Sequence, residues 1–218
     1  MSLEALRKQY AFPASRPDKI PFDWPLDGGG RDLITDIIEQ RDIRLMVEVG
    51  VFFGSSARRW LEASPRLTLI GVDPWGPFVN YFDRVIDSYE RKIDFNGMTR
   101  ETLRQQLEGE NATMECVLSN LWDYRDRYIP MRDKSPAALH VLHDAGVRPE
   151  MVYFDADKQG EDLEVCREIF PDATICGDDW MWRPEEGFPV QKIVHAFAER
   201  HNLRVVFDRA TWAVHPAQ

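Results

Sequence analysis

Two acidic runs follow apolar stretches of strand length: Asp155-Ala156-Asp157-Lys158 after Met151-Val152-Tyr153-Phe154, and Asp178-Asp179 after Ala173-Thr174-Ile175-Cys176. Neighbouring parallel strands lie ~4.8 Å apart, so Asp155, Asp178 and Asp179 are expected to meet at one sheet edge. Like charges ~4 Å apart repel by about 4 kcal/mol at an effective dielectric near 20, and such a cluster takes up protons or holds a cation. A donor set made of oxygen alone favours Mg2+, Mn2+ or Ca2+ over zinc. The bland alternative is a pair of solvated acidic loops. The five histidines build no rival site; His140 and His143 share a helix face that reads as ordinary and half-exposed.

A second group of residues lies earlier in the chain. Glu48-Val49-Gly50-Val51-Phe52-Phe53-Gly54-Ser55-Ser56 sits where an apolar strand gives way to a helical pattern, the place where doubly wound sheets bind ligands. Gly50 permits a tight turn with its backbone near a ligand, and Gly54 lets the helix begin close against the strand. A carboxylate at Glu48 suits a cationic or amino-bearing ligand and would repel a pyrophosphate. The next strand ends in Asp73-Pro74-Trp75, 25 residues after Glu48. An acid there can accept both hydroxyls of a ribose, and Trp75 is placed to flank a base. Taken singly, a strand-end acid and an Asp-Pro turn need no ligand to explain them.

The elements that position these residues read as an alternation. Leu33, Ile34, Ile37 and Ile38 recur at helical spacing behind Asp32 as N-cap. Strands are expected at residues 45–49, 67–72, 128–131, 151–154 and 173–176, with helices at 55–63, 135–145, 161–170 and 190–200. Two or three helices with a break are expected across 81–125. Residues 203–207 and 211–214 flank Asp208-Arg209-Ala210 and read as a hairpin. The fold class is therefore α/β, a doubly wound, mostly parallel seven-stranded sheet closed by a C-terminal antiparallel hairpin. Residues 1–30 form a separate arm. Pro13, Pro17, Pro21 and Pro25 exclude a regular helix there, while Tyr10, Phe12, Phe22 and Trp24 call for burial against the domain of residues 31–218, as a lid, or against a partner.

With these motifs in place, the chain resembles the class I S-adenosylmethionine-dependent methyltransferases. The resemblance implies that Glu48 and Gly50 lie against the methionine part of the cofactor, within a binding turn that includes Val51, Phe52, Gly54, Ser55 and Ser56. It also implies that Asp73 holds the ribose, that Trp75 and Ser135 border the adenine, and that Asp155 adjoins the cofactor. Phe52 stands where the family usually carries glycine. Ser135 reads equally well as a helix N-cap. The Asp-Ala-Asp-Lys segment is similar to that of metal-dependent catechol and caffeoyl-coenzyme A O-methyltransferases, which implies Asp155 and Asp178 as metal ligands and Lys158 as the base. Asp179 stands where those enzymes carry asparagine. The Asp178-Asp179-Trp180 triplet is instead similar to the macrocin-type sugar O-methyltransferases, in which Asp155, Asp178 and Asp179 would be ligands and Asp157 the base. The base is open between Lys158 and Asp157. Implied with the family are a Rossmann-like fold, S-adenosylmethionine as cofactor, a divalent cation such as Mg2+, and a small hydroxylated acceptor, either a natural-product sugar or a phenol.

Composition narrows the function classes. A net charge of −10 with no basic stripe argues against nucleic acid as the partner. No stretch of eighteen apolar residues points to a membrane span, and no secretory leader is evident. Cys116, Cys166 and Cys176 form no close-spaced pair and read as buried thiols, pointing to the cytoplasm. The aromatic arm makes a homodimer an expectation. Trp180, Met181, Trp182 and Phe188 are read either as a substrate wall or as core and partner surface. Two rival classes stay open: a non-catalytic cofactor-binding or assembly module, and a nucleotide-dependent oxidoreductase, which Glu48 and a missing third glycine disfavour.

Overall fold

The apolar runs form strands because β-branched and aromatic residues pack well on a pleated surface covered on both sides. In the computed structural model, which describes residues 2–26, 29–89, 96–156 and 160–217, they are β1 (Leu45–Val49), β2 (Thr68–Val72), β3 (Tyr128–Met131), β4 (Met151–Phe154), β5 (Thr174–Gly177), β6 (Leu203–Asp208) and β7 (Thr211–Pro216). They make one sheet in the order β3-β2-β1-β4-β5-β7-β6. The first five are parallel, and β7 runs antiparallel to both β5 and β6. This is the doubly wound sheet with a closing hairpin that the pattern implied. The register Phe154↔Gly177 brings the ends of β4 and β5 side by side.

Strand alternation sends successive side chains to opposite faces. Val47, Val49, Ile70, Val152 and Ile175 pack beneath α7 (Ala137–Asp144), α8 (Glu161–Ile169) and α9 (Pro189–Arg200). Met46, Leu69, Met151 and Cys176 face α2 (Arg31–Gln40) and α3 (Ser55–Ala63). Ile34, Ile37 and Ile38 are the buried stripe of α2, and full burial of each such side chain stabilises by ~1.5–3 kcal/mol. Between β2 and β3 come α4 (Phe82–Tyr89), α5 (Arg100–Gln106) and α6 (Ala112–Asn120), which form a smaller core with Phe22 and Trp24 of the arm. All three cysteines are buried free thiols. Among the described residues no helix is long and apolar enough to cross a membrane.

Three local expectations are corrected. The arm does contain a regular helix, α1 (Leu3–Gln9), because its first proline comes only at Pro13 and Ser2 caps the helix by accepting from the Ala5 amide. Asp32 is not the N-cap of α2. Gly30 takes that position with φ +84, and Asp32 sits in the first turn, ion-paired with Arg59. Glycine is needed there because a Cβ would lie 1.8 Å from the Asp208 carbonyl oxygen. Nor does Ser135 cap α7: Pro136 precedes the helix, and the Ser135 hydroxyl donates to Asp162 Oδ1 at 2.6 Å.

Candidate functional site

The turn after β1 is built around Gly50 and Asp73. Gly50 has φ +88, and a Cβ on it would lie 2.2 Å from the Asp155 carbonyl oxygen. The requirement for glycine therefore comes from the loop after β4 pressing on the turn. Asp73 Oδ2 accepts the amides of Val51 (2.9 Å) and Phe52 (3.0 Å), while Oδ1 accepts that of Trp75 (2.7 Å). Phe52 keeps a left-handed backbone at φ +52 without being glycine. Such a residue costs on the order of 1–3 kcal/mol and persists only where its surroundings hold it. Here Asp73 binds its N–H, and the Trp75 Nε1–H donates to its carbonyl at 3.1 Å.

Glu48 lies under this turn and is fully buried. The Ser56 hydroxyl donates to its Oε1, while Oε2 has no hydrogen-bond partner among the described residues. Burial pushes its carboxyl well above the usual range, with Asp155 and Asp73 adding to the effect.

At the neighbouring strand ends, the Asp155 amide donates to the Val49 carbonyl (2.7 Å) and the Asp178 amide to that of Phe154 (3.0 Å). The Trp212 indole N–H anchors the Asp178 carbonyl at 2.9 Å, and Asp179 turns away into the left-handed region at φ +63. One carboxylate oxygen from each of Asp155, Asp178 and Asp179 lies within 4.8 Å of the others. The three aspartates named from sequence thus meet in one cluster. Burial raises the Asp178 carboxyl to about 7, with Asp155 contributing and Arg31 opposing. Arg31, the first residue of α2, is 6% exposed and ion-pairs with Asp178 Oδ2, while its Nη1 donates to the Gly29 carbonyl at 3.2 Å. Asp178 Oδ1 is buried with no hydrogen-bond partner among the described residues.

Both groups open on one cavity of about 680 Å3. It runs along the strand tips from Asp133, Lys134 and Ser135 after β3, past Asp73, to Asp178 and Asp179 after β5. Gly50, Val51, Phe52, Ser55, Ser56, Asp73, Ser135, Asp155, Asp178 and Asp179 line it. Glu48, Gly54 and Trp75 do not. Trp75 is 1% exposed and packs into the core beneath α2 and α3, so its expected place beside a bound base is corrected. Trp180, Met181, Trp182 and Phe188 also stand outside the lining; Trp180 stacks on Phe207 instead, with centroids 5.0 Å apart. Asp157 and Lys158 lie outside the described residues.

The aromatic wall comes from the N-terminal arm, for which a lid was one of the expectations, and from Phe78, which the sequence did not single out. Trp24, Pro25 and Leu26 of the arm, with Phe78, also line the cavity. Trp24 packs edge-on against Phe52 (5.0 Å) and Phe78 (5.9 Å), and its amide donates to the Ser55 hydroxyl at 2.9 Å. Arg31 and Asp162 were missed as well. A signal existed for Arg31: a cation in the first turn of a helix opposes the macrodipole and asks for a compensating acid. Asp162 gave no comparable signal, being one acid among three in the first turn of α8.

No protein-family model matches the chain, and no curated protein sequence does. Solved structures do. The chain is similar to the O-methyltransferase TomG of Streptomyces achromogenes, involved in tomaymycin synthesis and solved with SAM. Identity is 17% over 86% of this chain and 79% of that one, with a TM-score of 0.58. It is similar to an O-methyltransferase of Bacillus cereus solved with SAH (14% identity, 97% and 87% covered, TM-score 0.54). A third neighbour is the cofactor-bound Rv0187 from MTB (12% identity, 99% and 88% covered, TM-score 0.57). At these identities the likeness is one of fold, and the fold is that of these methyltransferases.

Proposed function

We propose that this protein is an S-adenosylmethionine-dependent O-methyltransferase acting on a hydroxyl of a small molecule, a sugar or a phenol, with a divalent cation at Asp155, Asp178 and Asp179. The observation that carries the reading is the single cavity joining the Asp73-clamped turn to the three-aspartate cluster. Neighbours of the same fold named as O-methyltransferases, two of them solved with SAM or SAH, support it.

The residues fit a hard cation. The donors are all oxygens, and Asp178 Oδ1 is buried with nothing donating to it among the described residues. When bound there, a divalent cation would lower the pKa of the acceptor hydroxyl. The protein supplies the rest. Asp73 holds the turn whose backbone borders the cavity, and the Trp24–Leu26 arm with Phe52 and Phe78 excludes water from one side. Lys158 or Asp157, close in the chain to Asp155, takes the acceptor proton. S-adenosylmethionine, when bound, would supply the methyl group to that oxygen by cleavage of its sulfonium carbon–sulfur bond, with S-adenosylhomocysteine as the product that departs. Holding both reactants in line supplies ~7–11 kcal/mol in favourable cases.

The test is side-by-side calorimetric titration with S-adenosylmethionine, S-adenosylhomocysteine and NAD, followed by labelled-methyl transfer to a panel of phenols and polyhydroxylated sugars. Binding of the first two and not NAD, with transfer abolished by chelator and restored by Mg2+, is the expected result. NAD binding alone points to the oxidoreductase, and cofactor binding with neither ion binding nor transfer points to the non-catalytic module.

A further inference from the structure

Among the described residues that line the cavity, Arg31 is the cation ion-paired with one of the three clustered aspartates, so its charge opposes the job proposed for its neighbours. It enters from the start of α2, at a buried position, and its guanidinium is fixed from two directions, by the Gly29 carbonyl and by Asp178 Oδ2. Its location is set by the backbone: Gly30 is wedged against the Asp208 carbonyl, and the Thr211 hydroxyl donates to the Gly30 carbonyl. The arginine is thus built into the cluster by the hairpin that closes the sheet. A buried cation beside a divalent-ion site costs binding energy, so its presence calls for a reason.

We propose that Arg31 is the resident cation of the acidic cluster, a positioning residue that engages Asp178 Oδ2, leaves Oδ1 to face the ion, and trims three carboxylates to a net charge of −2 so that the site suits a divalent ion over a trivalent one. The proposal rests on the metal-dependent reading above. Any geometric damage from removing Arg31 falls on ions of either charge alike, because both use the same oxygens. The charge effect does not, since a trivalent ion is repelled by one unit more. At ~6 Å and an effective dielectric of ~40, between protein-surface and bulk-water values, that unit is worth about tenfold in affinity.

The experiment uses the full chain without cofactor or acceptor. Tb3+ binding is followed by tryptophan-sensitised luminescence, and Mg2+ binding by competition against it. In Arg31→Gln the ratio of the Mg2+ to the Tb3+ dissociation constant is expected to rise about tenfold over the unmodified protein, while Arg31→Lys, which keeps the charge, leaves it within twofold. Arg31→Met is the second neutral variant should Arg31→Gln not fold. Both dissociation constants moving together, with the ratio unchanged in a folded neutral variant, overturns the proposal and leaves Arg31 as a structural ion pair. An unmodified protein that binds S-adenosylmethionine but neither ion overturns the metal reading and the proposal with it. Ion binding that emerges only after Arg31 is neutralised overturns both as well, since the unmodified site then holds no ion.

Discussion

Replacing Asp73 with alanine removes the acceptor for three backbone amides at once, those of Val51, Phe52 and Trp75, at 2.9, 3.0 and 2.7 Å. Hydrogen bonds to an ionised group contribute ~1.5–3 kcal/mol each, but Asp73 borders an open cavity, and water will recover part of that. A net loss of about 2–4 kcal/mol follows. The left-handed Phe52 backbone, no longer held through its N–H, is the place where the turn gives way. For a domain of this size each kcal/mol moves the melting temperature by ~2–4 °C, so the ligand-free variant should melt about 5–15 °C lower. Asp73→Asn retains one acceptor oxygen and should fall between. Scanning calorimetry of the ligand-free proteins, followed by S-adenosylhomocysteine titration, separates two roles. If Asp73 served only a ribose, the ligand-free variant would melt within a degree of the unmodified protein and lose affinity alone; that result would refute the clamp.

Gly50→Ala should destabilise by about 4 kcal/mol or more, since it adds a left-handed strain to a Cβ 2.2 Å from the Asp155 carbonyl oxygen; soluble yield and urea midpoint report it. Trp24→Ala strips one wall of the cavity, and loss of roughly 1.5 kcal/mol of apolar contact should raise S-adenosylhomocysteine dissociation about tenfold in stopped-flow, with association little changed. His215 is buried in β7, with Nδ1 2.8 Å from Arg41 Nη2, and burial, reinforced by Arg41, holds its pKa below the usual histidine value. Its neutral form is favoured only in the folded state, so the stability it contributes is present above the unfolded pKa of ~6.5 and is lost as pH falls through that value toward the lower folded one. The drop in urea midpoint from pH 7.5 to 5.5 should therefore be smaller in His215→Gln.

The sheet was legible because its strands are short apolar runs bounded by turn residues, and β3 and β4 fall at the anticipated residues. The aspartate cluster was legible for a geometric reason: acids at the tips of adjacent parallel strands have nowhere else to go. What escaped the sequence was set by tertiary contact. Gly50 looked like a ligand-facing glycine, yet the group that would meet its Cβ is a carbonyl a hundred residues away in the chain. Phe52 broke the family pattern, and only the clamp from Asp73 and Trp75 explains how a phenylalanine keeps a backbone suited to glycine. Trp75 read as a base-flanking residue from its neighbours in sequence, and Trp180 as either substrate wall or core, and both side chains are buried in the core. The arm's aromatic residues called for burial and Arg31 for a compensating acid, but which partner each meets is set across long sequence separations.

The central claim is that one cavity takes a sulfonium nucleoside at the Asp73 turn and an ion at the three aspartates. Anomalous diffraction from crystals soaked with Mn2+ and S-adenosylhomocysteine tests both halves at once. The account predicts a manganese peak bounded by Asp155, Asp178 Oδ1 and Asp179, with nucleoside density along Gly50–Ser56. Nucleoside density without a peak at the aspartates, or a nucleoside bound away from that turn, would contradict it.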